Sequence, residues 1–357
     1  MTAKRTALYA KHVELGAKIV EFAGWEMPIL YSGVIEEHKA VREKIGIFDV
    51  SHMGRISVSG PEAEKFLDFL STNKVTGKSD GSAVYSVWCH ENGGSVDDVI
   101  VYRESMTQFF VVVNAGNRNK DLQHMLHYAK NFNVAVQDLF NEGAIIAIQG
   151  KFALDLQKIL FPETVALKFM HFQRVNFEGE SIIISRTGYT GSPGFEIYCS
   201  NHVVNKLWDQ AMSHGAQYGI APIGLGARDT LRLEMGYALY GHELTDEILP
   251  IESVSAWTVK LDKGPFIGSE ALKRGSPRHE IALQLTGPGV PREGYPVLLN
   301  GKTIGTITSG TMSPSLSKGI AIALVEINLS KGQTVDVQIR KNQVPAEVVS
   351  LPFVSLK

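Results

Sequence analysis

The residues best placed to do chemistry are two adjacent carboxylates, Asp97 and Asp98, in Asn92-Gly-Gly-Ser-Val-Asp-Asp-Val-Ile-Val-Tyr102. Asn92-Gly93-Gly94 reads as a tight turn, because glycine reaches positive φ without a Cβ clash. Val96 to Tyr102 reads as a strand rich in β-branched residues. Alternation along that strand sends the two carboxylates to opposite faces. Asp98 shares a face with Ile100 and Tyr102 and is expected to look inward, where a carboxylate is costly without a partner. It is either a turn aspartate satisfied by backbone N–H groups or an inward carboxylate that has found a partner.

Arg228 is the next candidate. It falls in the first turn of a helix expected from Ala227 to Met235, where a cation opposes the macrodipole. It therefore pairs with a nearby carboxylate or waits for an anionic or carbonyl-rich ligand. The preceding Gly224-Leu-Gly226 resembles a phosphate loop, but no strand immediately precedes it and no Lys-Ser/Thr follows, which argues against a nucleotide site. His52, in Ser51-His-Met53, reads as a loop histidine bonded locally, because no second ligand stands at metal spacing. His124 and His127, on a helix from Lys120 to Lys130 capped by Asn117 or Asn119, read as surface residues.

These groups need a scaffold, and the chain is long enough to provide one. It has 357 residues, 44% of them hydrophobic, which allows a large core and two or three domains. A net charge of −2 leaves no footprint of a nucleic-acid binder. Cys89 and Cys199 form no CxxC pair, which argues against a disulfide scaffold or a cysteine zinc site. The N-terminus has no apolar signal core and no Arg/Ser-rich transit run, and no apolar stretch approaches the ~20 residues that span a bilayer. A soluble cytoplasmic protein without a membrane partner, or a mature form whose leader is missing, is expected.

Lys18 to Phe22 reads as a strand, Gly24 to Pro28 as a loop, and Gly33 to Lys44 as a helix with Val34, His38 and Val41 on one face. Strands at 55–59, 83–89 and 108–114 follow. The strand Ala144–Gly150, the helix Ala153–Ile159, the strands Ser181–Tyr189 and Gly194–Tyr198 and the helix Val203–Met212 repeat that order. Two related α+β units packed face to face are expected, with the Asp98 hairpin and the Tyr189–Glu196 hairpin at their seam. Beyond the polar linker Lys273–Pro277, six short strands read as a small antiparallel barrel or sandwich whose longest turn is Thr308–Leu316.

Several stretches taken together are more specific than any one. Phe22-Ala-Gly-Trp-Glu-Met-Pro28, Phe48-Asp-Val-Ser-His-Met-Gly54, Asn92-Gly-Gly…Asp-Asp98, Ser185-Arg-Thr-Gly-Tyr-Thr-Gly191, Gly194-Phe-Glu196, Gly224-Leu-Gly-Ala-Arg-Asp229 and Ile307-Thr-Ser-Gly…Ser-Pro314 resemble, in order and almost end to end, the glycine cleavage T-proteins. That resemblance implies an α+β, three-domain cloverleaf: two related α+β units around a central folate cavity, plus a C-terminal antiparallel β-barrel. The implied parts are 1–50 with 139–272, 51–138, and 278–357. It implies an aminomethyltransferase that takes the one-carbon unit from the lipoyl arm of the H-protein. It also implies tetrahydrofolate as the acceptor substrate, release of ammonia, formation of 5,10-methylenetetrahydrofolate, and chemistry that needs no metal.

By the same similarity Asp98 is the catalytic group. Tyr85 and Tyr102 would lie along the folate, Tyr189, Glu196 and Arg228 would close the site, and Asn114 and Met53 would add lining contacts. The family's aromatic or arginine contact beyond the terminal Pro-Phe is expected to be missing or replaced at Pro352-Phe-Val-Ser-Leu-Lys357. Two other readings are a folate-binding relative and a scaffold that only holds the H-protein. The relative would act in iron–sulfur assembly, whose cysteine-bearing motif is not seen, or in amine oxidation, whose flavin domain has no room. Asp98, Glu196 and Arg228 argue against the scaffold.

Overall fold

The computed structural model describes residues 3–139 and 143–356. Two compact units are present: Met1–Phe66 with Val75–Val84 and Ile100–Asp229, and Leu67–Lys74 with Tyr85–Val99 and Thr230–Lys357.

The first unit opens with the short helix Tyr9–Glu14 and a hairpin of Lys18–Phe22 and Trp25–Leu30, joined by Lys4–Arg5 as a third strand. A loop was expected at Gly24–Pro28, yet Trp25–Leu30 is the central strand of this sheet. Ala23 and Gly24 both have positive φ, at 49° and 80°, so a two-residue turn sets Phe22 opposite Trp25. Pro28 disguised the strand, because it gives no N–H to a ladder.

The duplication expected from the sequence is present as topology. One run is Gly54–Ser59, helix Ala63–Leu70, strands Ser82–Cys89, Ser95–Ser105 and Gln108–Val113, helix Arg118–Ala129. The other is Ala144–Gln149, helix Ala153–Leu160, strands Phe172–Phe177, Glu180–Ser185 and Gly194–Cys199, helix Val204–Gly215. In each, the last three strands form a meander, and the first strand pairs antiparallel with the last of them. Four residues, 114–117 and 200–203, lead from the last strand into the helix in both runs. Ala135–Asp138 adds a fifth strand to the first sheet; Ile45–Asp49 and Ile220–Pro222 bring the second to six. The strands Ser82–Cys89 and Ser95–Ser105 carry residues of both units.

Period-two alternation puts Ile146 and Ile148, Ile182 and Ile184, and Phe195 and Ile197 on one face of the six-stranded sheet. They pack with Leu156, Leu207 and Trp208 of the two helices. Each such side chain, fully buried, contributes about 1.5–3 kcal/mol.

In the second unit six strands close a barrel in the order His279–Leu285, Lys318–Val325, Lys302–Ser313, Pro296–Leu299, Thr334–Ile339 and Asn342–Val349. Leu283, Val297, Val325, Val335 and Val337 fill it. The turn expected at Thr308–Leu316 is a strand as far as Ser313, with a bulge between Ile307 and Ser309. Its polar residues answer buried charges. Thr308 Oγ1 donates to Glu243 Oε1 at 2.7 Å, Arg232 Nη2 donates to Ser309 Oγ at 2.8 Å, and Ser313 Oγ donates to Glu234 Oε1 at 2.6 Å. Arg232 and Glu243 are themselves a buried pair at 2.9 Å. Among the described residues no helix is long and apolar enough to cross a membrane.

Candidate active site

The Asp98 hairpin is fixed at its base. His90 N–H bonds to Gly94 O at 2.8 Å, Gly93 N–H to His90 O at 3.0 Å, and Gly94 N–H to the Asn92 side chain at 3.1 Å. Gly93 has φ 93°, and a Cβ on Gly94 would collide with Asp246 O, so both glycines are required. Ser95 N–H and Oγ both donate to Ile248 O, at 3.2 and 2.8 Å.

Burial reverses one expectation. Asp97 is the fully buried carboxylate, and Asp98 is only half-buried. Val99 and Val101 are buried with Asp97, while Ile100 is half-buried and Tyr102 buried, so both faces of this strand are covered and alternation alone could not tell in from out. The accessible member is the one a substrate can reach. Asp98 Oδ2 accepts the Tyr85 hydroxyl at 3.0 Å, and that hydroxyl also lies 3.1 Å from Ser255 Oγ. The Tyr85 ring stacks on Trp257, with centroids 5.8 Å apart and planes at 24°. Trp257 is 59% exposed, an unusual state for so large an aromatic ring. Ser255 and Trp257 had no sequence signal, lying about 170 residues from Tyr85.

In the first unit Glu196 anchors a second polar group. Its Oε2 accepts from Thr187 Oγ1 and, at 3.0 Å, from the Tyr198 hydroxyl. Tyr198 and Tyr102 hydroxyls lie 2.7 Å apart, and Tyr102 reaches Thr187 Oγ1 at 3.2 Å. Burial, with the Glu196 charge added, pushes both tyrosines above their ordinary values, so they remain protonated donors. Tyr102 has no exposed surface and stacks on Phe110 at 4.3 Å. Its ring is enclosed, and its hydroxyl belongs to the network around Glu196. Gln149 sets the adjoining loop, donating from Nε2 to Thr187 O at 3.2 Å and accepting from Thr190 Oγ1 at 3.0 Å. A Cβ at Gly188 or Gly194 would strike that glutamine, which accounts for two glycines of the motif.

The Arg228 guanidinium carbon lies 4.5 Å from the Tyr189 ring centroid, a cation–π contact. Arg228 stands in the first turn of the helix Leu225–Glu234. The glycine run before it serves packing: Gly224 N–H donates to Glu37 Oε2 at 2.7 Å, and a Cβ there would meet the Ile29 backbone. Glu37, fully buried, also accepts from the N–H groups of Tyr31, Ser32 and Gly33. Met53 and Asn114 are half-buried, Met53 in the turn before Gly54 and Asn114 directly after Gln108–Val113.

The histidines depart furthest from expectation. His52 is 2% exposed, and its Nδ1 meets no hydrogen-bond partner. His12, unremarked in the sequence, is fully buried with Nε2 2.9 Å from Asp49 Oδ2 and Nδ1 2.9 Å from the Tyr31 hydroxyl. Burial raises Asp49, but the bonds from His12, Ser51 and Thr6 outweigh it and hold the carboxyl below its ordinary value. Among the described residues no three His, Cys, Asp or Glu side chains gather as a metal-holding group.

A duplicated α+β scaffold followed by a closed six-stranded barrel is an architecture with known members. The GCVT N-terminal domain matches residues 8–263, and the glycine cleavage T-protein C-terminal barrel domain matches 278–355. The aminomethyltransferase of Halalkalibacterium halodurans is 43% identical over 357 residues, covering 98% of each chain. That of Herpetosiphon aurantiacus is 45% identical over 360 residues, with the same coverage. The crystal structure of the glycine cleavage system aminomethyltransferase T from Bartonella henselae superposes with a TM-score of 0.92 at 32% identity, covering 99% of both chains. The chain belongs to the glycine cleavage T-protein family and is an aminomethyltransferase.

Proposed function

We propose that the chain transfers the one-carbon unit of an S-aminomethyldihydrolipoyl H-protein to tetrahydrofolate. Atoms balance as follows. The carbon loses its bonds to nitrogen and sulfur and gains bonds to folate N5 and N10. The two N–H protons of the folate leave with ammonia and the dihydrolipoyl thiol, and 5,10-methylenetetrahydrofolate forms. Expelling ammonia gives a cationic carbon that N5 attacks, and N10 then closes the ring.

Asp98 is the group proposed to stabilise that cation and take the proton from nitrogen. The observation that supports this is its partial exposure together with the Tyr85 bond, which orients the carboxylate. Tyr85 is proposed as a flat wall for the folate. Glu196, Arg228 and Tyr189 are proposed as contacts to the pterin ring, since a carboxylate can accept from two neighbouring N–H groups. Both local donors to Glu196 fall on Oε2, which supports that role. Asn114 and Met53 are kept as lining residues on the sequence resemblance.

Asp98→Asn is expected to lower turnover by about 10²–10⁴-fold, the usual worth of a positioned acid–base group. Its folate affinity and melting temperature should stay close to wild type. Near-normal methylenetetrahydrofolate formation by that variant, assayed with aminomethylated H-protein, would remove Asp98 from the mechanism. Calorimetry showing no binding of tetrahydrofolate by the wild type would remove the folate assignment itself.

A further inference from the structure

In the second unit one short segment, residues 253–258, reaches both ends of the Tyr85 side chain. The segment is cross-bonded. Ser255 N–H donates to Ser253 Oγ at 3.1 Å, and Ala256 N–H to Ser253 O at 2.9 Å. Ser255 O then accepts the N–H and the hydroxyl of Thr258, at 2.9 and 2.8 Å, across the 3₁₀ turn Ala256–Thr258. The Thr258 hydroxyl lies 3.2 Å from Thr72 Oγ1, and that oxygen lies 3.3 Å from Ser86 Oγ, next to Tyr85 in its strand. Asn73 Nδ2 donates to the Tyr85 carbonyl at 2.9 Å. On this frame Trp257 covers the Tyr85 ring, and Ser255 Oγ stands 3.1 Å from its hydroxyl. Ring and hydroxyl are thus held by different residues of one turn.

Burial sets the direction of each proton. Ser255 is 3% exposed, and its N–H and carbonyl are already bonded inside the turn. A buried hydroxyl needs an acceptor, and among the described residues Tyr85 is the partner of Ser255 Oγ. The serine therefore donates to the phenol. A phenol has one proton. It then points away from Ser255 and onto Asp98 Oδ2, 3.0 Å away. Hydrogen bonds in such a chain strengthen one another, so the serine polarises the bond that the carboxylate receives. We propose that Ser255 is a positioning residue for Asp98, acting through the Tyr85 hydroxyl, whose proton it directs onto the carboxylate. This role rests on the reading of Asp98 as the reacting group and adds the residue that orients its partner. Ser255 lies outside every stretch that carries the family resemblance.

The test is a double-mutant cycle read by steady-state kinetics with aminomethylated H-protein and tetrahydrofolate. Its members are wild type, Ser255→Ala, Tyr85→Phe and the double variant. Ser255→Ala should lower kcat about three- to tenfold, the usual worth of one hydrogen bond. KM for tetrahydrofolate should stay close to wild type, because Trp257 still holds the ring. In the Tyr85→Phe background Ser255→Ala should cost nothing further, since no phenol is left to orient. Wild-type kcat in Ser255→Ala would overturn the role. So would a loss that persists undiminished in the Tyr85→Phe background, or a raised KM with kcat intact, the marks of a structural serine. Should Ser255→Ala fail to fold, Ser255→Cys, close in volume but with only a weak S–H donor, takes its place in the same cycle under the same outcomes. Asp98→Asn separates this role from the larger assignment. If that variant turns over normally, Asp98 and the Ser255 role fall together; if it is defective while Ser255→Ala is normal, only the Ser255 role falls.

Discussion

His12 and His52 are both closed off from solvent in the first unit, yet they live under opposite conditions. His12 is bonded on both ring nitrogens, to Asp49 and Tyr31. His52 has a ring nitrogen with nothing to bond. Asp49 bears on both, as a hydrogen-bond partner to His12 and as a distant opposing charge to His52. One histidine thus ties the N-terminal helix Tyr9–Glu14 to the strand Ile45–Asp49, and the other carries the cost of a buried, unpartnered nitrogen. Burial alone does not tell these two histidines apart; the hydrogen-bond account does.

The contrast can be broken by removing partners. Asp49→Ala leaves His12 and the Thr6 hydroxyl buried with an acceptor lost, and should cost about 3–5 kcal/mol, read as a lower urea midpoint. A cost below about 1 kcal/mol would mean that the pair holds little together.

Acid sharpens the contrast next. The unfolded chain protonates His52 near 6.5, whereas the folded ring resists down to about 4. Between those values the unfolded state binds more protons, so this contribution to stability is fully present above pH 6.5 and is lost as pH falls toward 4. The loss is on the order of 3 kcal/mol and should be absent from His52→Phe, so that it appears as the difference between the two stability–pH curves. Asp49 acts in a different window, because its carboxyl lies below 3.8 in the folded state and its contribution is lost only in stronger acid. Overlapping stability–pH curves for wild type and His52→Phe would contradict the neutral buried ring.

Tyr31→Phe is the mildest change. It removes one hydroxyl from His12 Nδ1 and should cost about 1 kcal/mol without altering folate affinity.

Much of the scaffold was legible because it is written locally. The strands His279–Leu285, Pro296–Leu299 and Thr334–Ile339 fall where alternation and turn residues put them. The duplicated strand–helix order showed as well, since each copy keeps the same short junction into its helix. What failed to show depends on distant partners. Glu37 and Gly224 are 187 residues apart, and nothing near either one announces their bond. Thr308, Ser309 and Ser313 look like turn residues until Arg232, Glu234 and Glu243 are seen to need them. The family motifs singled out Asp98 as a candidate, but which aspartate was the accessible one required knowing that both faces of its strand are covered.

Of the four tryptophans, Trp88 and Trp208 are sealed in the core at 0% and 1% exposure, whereas Trp257 lies open against Tyr85. The protein thus carries an optical gauge beside the Tyr85–Asp98 pair. Any molecule that settles on Tyr85 must change the surroundings of that indole. Occupancy can then be followed by emission in real time, with a Trp257→Phe chain as the dark control.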